Sequence, residues 1–324
     1  MPLLIDFGLL VLGFVILIWA GDWLVRGAAA LARHWGVPAL IVGLTIVAFG
    51  TSAPELVVSI QAVLNNTGEL AAGNIIGSNI ANVFLALGAP ALILAIPTHM
   101  PGVARNTVIA LLATLVFIGL ILINNPLQTW QGSLLFAGII IYLIGMFHLG
   151  KSGSDDPILA EMTELEEGES GLPSNMLISF VFVILGMVGL GLGGNMIVEN
   201  ATSIATALNV SDTIIGLTIV AIGTSLPEVA TVIIAARQGH SDVAIGNVLG
   251  SNVFNLLAVG GAAAMVGPVL IEDKILAFDL WIMLAAIIIL LGYVMTRRPI
   301  GRKTGLLFVI AYILYLCAIG HSMM

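Results

Sequence analysis

Charge is what this chain has least of. Only 9% of its 324 residues are Asp, Glu, Lys or Arg, where soluble proteins carry about 25%. A single cysteine, Cys317, excludes an internal disulfide framework. The five histidines (His34, His99, His148, His240 and His321) all fall near the ends of apolar runs, and no His/Cys cluster marks zinc, copper or iron as a ligand. His-Glu-x-x-His and Gly-x-Ser-x-Gly are both missing, as is any nucleophile–base pair, so an intramembrane enzyme finds no support. Gly189–Gly194 matches Gly-x-Gly-x-x-Gly but sits in an apolar run without a preceding strand, which removes the nucleotide-binding reading.

Hydrophobic sequence takes the place of charge. It makes up 59% of the chain, with mean hydropathy +1.14, and a span needs about 20 apolar residues. Breaks between runs predict an all-α integral membrane protein of ten transmembrane helices, near 3–31, 38–63, 70–97, 103–123, 128–149, 174–200, 211–236, 242–267, 274–295 and 305–321. Because Asp6 and no basic n-region opens the first run, it is expected to be an uncleaved helix rather than a signal peptide. The one polar connection, 150–173, holds Lys151 and seven acids, Asp155, Asp156, Glu161, Glu164, Glu166, Glu167 and Glu169. It accounts for most of the net charge of −8, which therefore describes a loop and no nucleic-acid partner. It divides the chain into five-helix units at 1–149 and 174–324.

With the N-terminus outside, Arg26, Arg33, Arg105, Lys151, Arg237, Arg297, Arg298, Arg302 and Lys303 fall at cytoplasmic ends and Lys274 alone does not. Basic flanks resist translocation, so both termini are expected on the non-cytoplasmic face and the acidic linker in the cytoplasm. The basic group at 297–303 reads as a topology anchor.

The chain also repeats itself. Residues 41–82 and 214–255 align without a gap at an offset of 173, with 21 of 42 positions identical. Gly-Leu-Thr-Ile-Val-Ala-x-Gly-Thr-Ser-x-Pro-Glu occurs at 43–55 and 216–228, and Gly-Asn-x-x-Gly-Ser-Asn-x-x-Asn at 73–82 and 246–255. Five spans per unit is odd, so the second copy enters the membrane upside down. Such inverted-topology repeats bind their ions near midplane, where the units meet.

Each copy puts one acid, Glu55 or Glu228, into an uncharged span. A lone acid in hydrocarbon costs several kcal/mol and needs a compensating role. Pro54 and Pro227 remove a backbone N–H, which frees the carbonyls of Gly50 and Gly223 and loosens neighbours such as Ala48, Thr51, Ala221 and Thr224. Such carbonyls are tolerated at depth where they line a cavity. Ser78 and Asn82, and likewise Ser251 and Asn255, lie four residues apart on one helix face. The Gly73/Gly77 and Gly246/Gly250 pairs permit close helix approach. Asn79 and Asn252 are assigned to helix packing. Thr51, Ser52, Glu55, Ser78 and Asn82, with Thr224, Ser225, Glu228, Ser251 and Asn255, supply up to ten oxygen-bearing side chains. Calcium takes about six to eight oxygens in irregular geometry, and sodium suits the neutral oxygens beside the acids.

At these residues the sequence resembles the sodium/calcium exchangers of the calcium:cation antiporter superfamily, most closely their compact bacterial inner-membrane branch. The resemblance implies that Glu55 and Glu228 coordinate Ca²⁺, completed by the carbonyls of Thr51 and Thr224. Ser52, Ser78, Ser225 and Ser251, with the carbonyls of Ala48 and Ala221, would form flanking Na⁺ sites, and Asn82 and Asn255 would complete the ring. Some members, potassium-dependent exchangers among them, carry Asp where this chain has Asn255, so two fixed acids remain here.

The function expected is exchange of Ca²⁺ for Na⁺ by alternating access, with the first and sixth spans moving on surfaces smoothed by Gly21, Gly27, Gly191, Gly193 and Gly194. A cation/H⁺ antiporter using the same two glutamates is the alternative, and a passive channel has no need of matched acids. No cofactor beyond the transported ions and no obligate protein partner is expected.

Overall fold

The computed structural model describes residues 2–152, 173, 175–208, 223 and 225–322. The described residues are helical apart from short connections and two isolated β-bridges. Unbroken apolar runs give long helices because hydrocarbon leaves each backbone group only an internal partner. In chain order these are α1 (Pro2–Trp35), α2 (Ala39–Thr51), α3 (Ala53–Leu64), α4 (Gly68–Ala91), α5 (Val103–Ile123) and α6 (Thr129–Ser152). There follow α7 (Met176–Ala207), α8 (Leu226–Arg237), α9 (Ser241–Val266), α10 (Ile275–Met295) and α11 (Arg302–Ser322).

Eight of these are long and apolar enough to cross a membrane, or nine when α2 and α3 are counted as one span bent by 43°. The bend falls at Ser52, just before Pro54 at the start of α3. Of the seventh expected span, 211–236, residues 211–222 and 224 lie outside the described residues, and α8 is its second half.

Burial sorts the helices into two groups. Within the best apolar window of α9, 89% of residues are buried, and 72% in α4. In α1 the share is 17% and in α7 28%. The helices carrying the second motif are thus the interior of the bundle, while α1 and α7 flank it. Those two form the most extensive helix pair. Glycines allow their backbones to cross: a Cβ on Gly193 would stand 2.9 Å from the Gly13 carbonyl oxygen, and one on Gly27 2.9 Å from that of Ser179.

Three of the five glycines expected to smooth a sliding surface therefore need reassigning. Among the described residues, Gly27 and Gly193 join α1 to α7, and Gly191 meets nothing within 4 Å. Gly21, against Ile234, and Gly194, against Pro227, face the bundle.

Two loop clamps close the molecule. Ile96 pairs with Ile300, and Leu127 with Val269. Adding 173 to 96 and 127 gives 269 and 300, so the offset that relates the sequence motifs also relates the clamps. Asn125 reinforces the second, donating to the Ile271 carbonyl at 2.7 Å and accepting its N–H at 3.0 Å.

Candidate cation site

The site grows from two kinds of helix interruption. The first is the bend in α2–α3, and the matching Ser225-Leu-Pro-Glu228 turn at the start of α8. Proline has no N–H, so the carbonyl four residues earlier loses its helical donor, at Gly50 in one copy and Gly223 in the other. The Ala48 carbonyl, in contrast, keeps a donor: it accepts the Ser52 N–H at 3.0 Å, which leaves one lone pair for other use. The second interruption is a single π-helical turn, at Asn82–Ala86 in α4 and Asn255–Val259 in α9. Each begins at the last asparagine of the motif, and π turns of this kind gather at functional sites.

These turns interlock. The Asn82–Ala86 turn packs against α8, which bears Glu228, and the Asn255–Val259 turn packs against α3, which bears Glu55. The helices can come this close because of glycine. A Cβ on Gly250 would stand 2.5 Å from the Leu44 carbonyl oxygen, and one on Gly246 2.9 Å from that of Leu40. Gly73 and Gly77 meet nothing within 4 Å; the residues that the offset sets opposite them, 213 and 217, are outside the described set.

Six side chains of the expected set are at most 2% exposed and carry polar atoms with no hydrogen-bond partner among the described residues: Ser52, Glu55, Asn82, Ser225, Glu228 and Asn255. They form three pairs at the offset of 173. The two carboxylates are close enough to repel each other. Neither has a basic partner among the described residues, one of whose ion pairs is Arg26–Asp22. Unpaired buried oxygens of this kind are costly, and two carboxylates with neutral hydroxyls and amides make an all-oxygen set suited to hard cations.

Ser78 and Ser251 are both buried, 4% and 0% exposed. Thr51 lies at the junction. Its Oγ1 is 3.0 Å from Asn247 Oδ1, 3.2 Å from Ser251 Oγ and 3.3 Å from the Ala48 carbonyl oxygen. It also faces the Glu228 carboxylate, outside hydrogen-bonding geometry. Thr224 and Ala221 lie outside the described residues. Asn79 donates to the Ile75 carbonyl of its own helix at 2.8 Å, as expected of a packing residue. Its counterpart Asn252 keeps a buried, unpartnered Oδ1.

Two residues escaped the sequence reading. Asn74 donates to Ser59 Oγ at 2.9 Å and to the Glu55 carbonyl at 3.2 Å, and Asn247 meets Thr51. The signal was in the spacing: Asn74, Ser78 and Asn82 stand four residues apart, as do Asn247, Ser251 and Asn255, so each trio shares one helix stripe.

The sodium/calcium exchanger protein family matches residues 5–148 and 178–320 of this chain. The chain belongs to that family. Among other sodium/calcium exchanger relatives and similar proteins, it is 38% identical to the putative antiporter CaxA of Alkalimonas amylolytica, over 94% of this chain and 95% of that protein. It is 30% identical to the sodium/calcium exchanger MaX1 of Methanosarcina acetivorans, over 98% and 99%. Its fold matches that of the sodium-calcium exchanger NCX_Mj, solved after soaking with Na⁺ and Sr²⁺, with a TM-score of 0.82 and 29% identity over 97% of this chain and 99% of that one. An exchanger-family antiporter of the membrane is thus the correct class, and the chain is not an enzyme.

Proposed function

We propose that this chain exchanges Ca²⁺ for Na⁺ across the bacterial inner membrane by alternating access. The observation that carries the reading is the set of three matched pairs, 52/225, 55/228 and 82/255, buried and lacking partners among the described residues, with the two carboxylates close enough to repel each other. One Ca²⁺ neutralises the pair, and so do two or more Na⁺. Without cargo the site would keep unpaired charge in a low-dielectric interior, so closure around it is costly. Leak is suppressed by the same cost.

In this reading Glu55 and Glu228, with the carbonyls of Thr51 and Thr224, hold Ca²⁺. Ser52, Ser78, Ser225 and Ser251, with the carbonyls of Ala48 and Ala221, hold Na⁺ at the flanks, and Asn82 and Asn255 complete the ring. The architecture behind it is ten spans in two inverted units, 1–149 and 174–324, joined by a cytoplasmic acidic linker at 150–173. Support comes from three structural features that recur at the sequence offset: the unpartnered side chains, the π turns and the loop clamps. The ions are cargo, and no other cofactor or obligate protein partner enters the scheme.

Radiocalcium uptake into proteoliposomes loaded with Na⁺, against K⁺-loaded controls at matched pH, tests the proposal. Uptake is expected only with internal Na⁺ and is expected to vanish in Glu228→Gln. Uptake driven by a pH gradient and indifferent to Na⁺ would instead make the chain a cation/H⁺ antiporter at the same glutamates. Undiminished uptake in Glu228→Gln would refute the site.

A further inference from the structure

The two copies of the motif are not equivalent at their first asparagine. Asn74 spends its amide inside its own copy, on Ser59 and on the Glu55 carbonyl. The residue matching Ser59 is Val232, which offers no acceptor. Asn247 Nδ2 accordingly has no partner among the described residues, and its Oδ1 reaches across to Thr51 of the other copy at 3.0 Å.

Thr51 has one hydroxyl proton and several takers. The Ala48 carbonyl is 3.3 Å away, already holding the Ser52 N–H. The Glu228 carboxylate faces the same hydroxyl. Both are cation ligands in the function proposed above, on which this inference rests. A proton turned toward either would occupy a lone pair that a cation needs. Asn247 Oδ1 offers a nearer acceptor, and Ser251 Oγ at 3.2 Å can then donate to the Thr51 oxygen.

We propose that Asn247 is a positioning residue that draws the Thr51 proton away from the Ala48 carbonyl and the Glu228 carboxylate, keeping both available to the transported cations. Asn74 Nδ2 is held by Ser59 and the Glu55 carbonyl while Asn247 Nδ2 has no partner among the described residues, so the amide groups of the two copies are held differently.

A double-mutant cycle on the purified full-length protein tests this. The readout is the rise in thermal-unfolding midpoint on titration with Ca²⁺ alone and with Na⁺ alone. Asn247→Leu is expected to weaken apparent Ca²⁺ affinity about tenfold, and less than about twofold when Thr51→Val has already removed the hydroxyl. Asn74→Leu is expected to act equally in both backgrounds. Asn247→Asp, which keeps the acceptor, is expected to restore the dependence on Thr51. If Asn247→Leu fails to fold, Asn247→Ser serves, since its hydroxyl is too short to reach Thr51. An Asn247 effect of the same size in both backgrounds, or none at all, overturns the proposal. Because the cycle reads ion binding, it remains decisive even if transport proves to be coupled to H⁺, whereas the uptake experiment judges the exchange reading separately.

Discussion

At the scale of the residue, the function proposed above rests on a count of two carboxylates. In that reading, removing either leaves a divalent ion half compensated among neutral oxygens. Glu55→Gln and Glu228→Gln are each expected to weaken Ca²⁺ binding at least about a hundredfold, or ~3 kcal/mol, in the range for breaking a buried charge pair. A Ca²⁺ titration of the purified variants checks this, and a change under tenfold would dissociate the glutamates from the ion. The opposite change is available at Asn255, which is fully buried and lacks a partner among the described residues. Asn255→Asp puts a third carboxylate beside the first two, and it is expected to tighten Ca²⁺ binding about tenfold, ~1.4 kcal/mol, while slowing turnover. The two buried acids were legible in the sequence, because an acid inside an apolar span stands out by itself. Spacing sets Asn74 and Asn247 on the same stripes as the motif's serines, but a short amide in a helix carries no mark of what it bonds. Only the structure separates Asn74, tied to Ser59, from Asn247, tied to Thr51.

At the scale of the element, α1 and α7 are more closely joined to each other than to the bundle. Beyond the glycine crossings, Ser203 Oγ donates to Asp6 Oδ2 at 2.7 Å between them. Toward the bundle, Asp22 accepts from Gln238 Nε2 at 2.6 Å while bonded to Arg26 of its own helix. If the pair moves as one body across α8 and its neighbours, two tethers have opposite consequences. Asp22→Cys with Gln238→Cys, joined by a short bifunctional maleimide, is expected to stop Na⁺-driven Ca²⁺ uptake. Asp6→Cys with Ser203→Cys, joined in the same way, is expected to spare it. Both belong in a Cys317→Ser background, since Cys317 is the chain's one cysteine and is exposed. Sustained uptake with α1 tied to α8 would rule out motion of the pair. Here the sequence showed glycine-rich helices but not what the glycines touch: small residues favour close packing whether the contact slides or holds. Gly27 and Gly193 prove to be holding contacts.

At the scale of the whole molecule, the spans were the most legible feature, since long uncharged runs leave little choice of structure. What periodicity could not give was the interior order of the bundle. That α4 and α9 lie inside while α1 and α7 flank them follows from glycine contacts and interlocked π turns, which have no signature in hydropathy. Orientation, in contrast, rests wholly on charge placement, nine of ten basic residues falling on one side in the ten-span reading. This makes a prediction independent of transport. In the Cys317→Ser background, Ala160→Cys in the acidic linker is expected to react with a membrane-impermeant maleimide only in inside-out vesicles. Asp273→Cys, exposed in the loop between α9 and α10, is expected to react only when the outer face is presented. Labelling of both positions from one face would break the odd-span arithmetic on which the proposed inversion of the units rests. The matched pairs 52/225, 55/228 and 82/255 would then need another origin than a two-fold axis in the membrane plane, because only inversion brings two copies of one motif to the same depth from opposite sides.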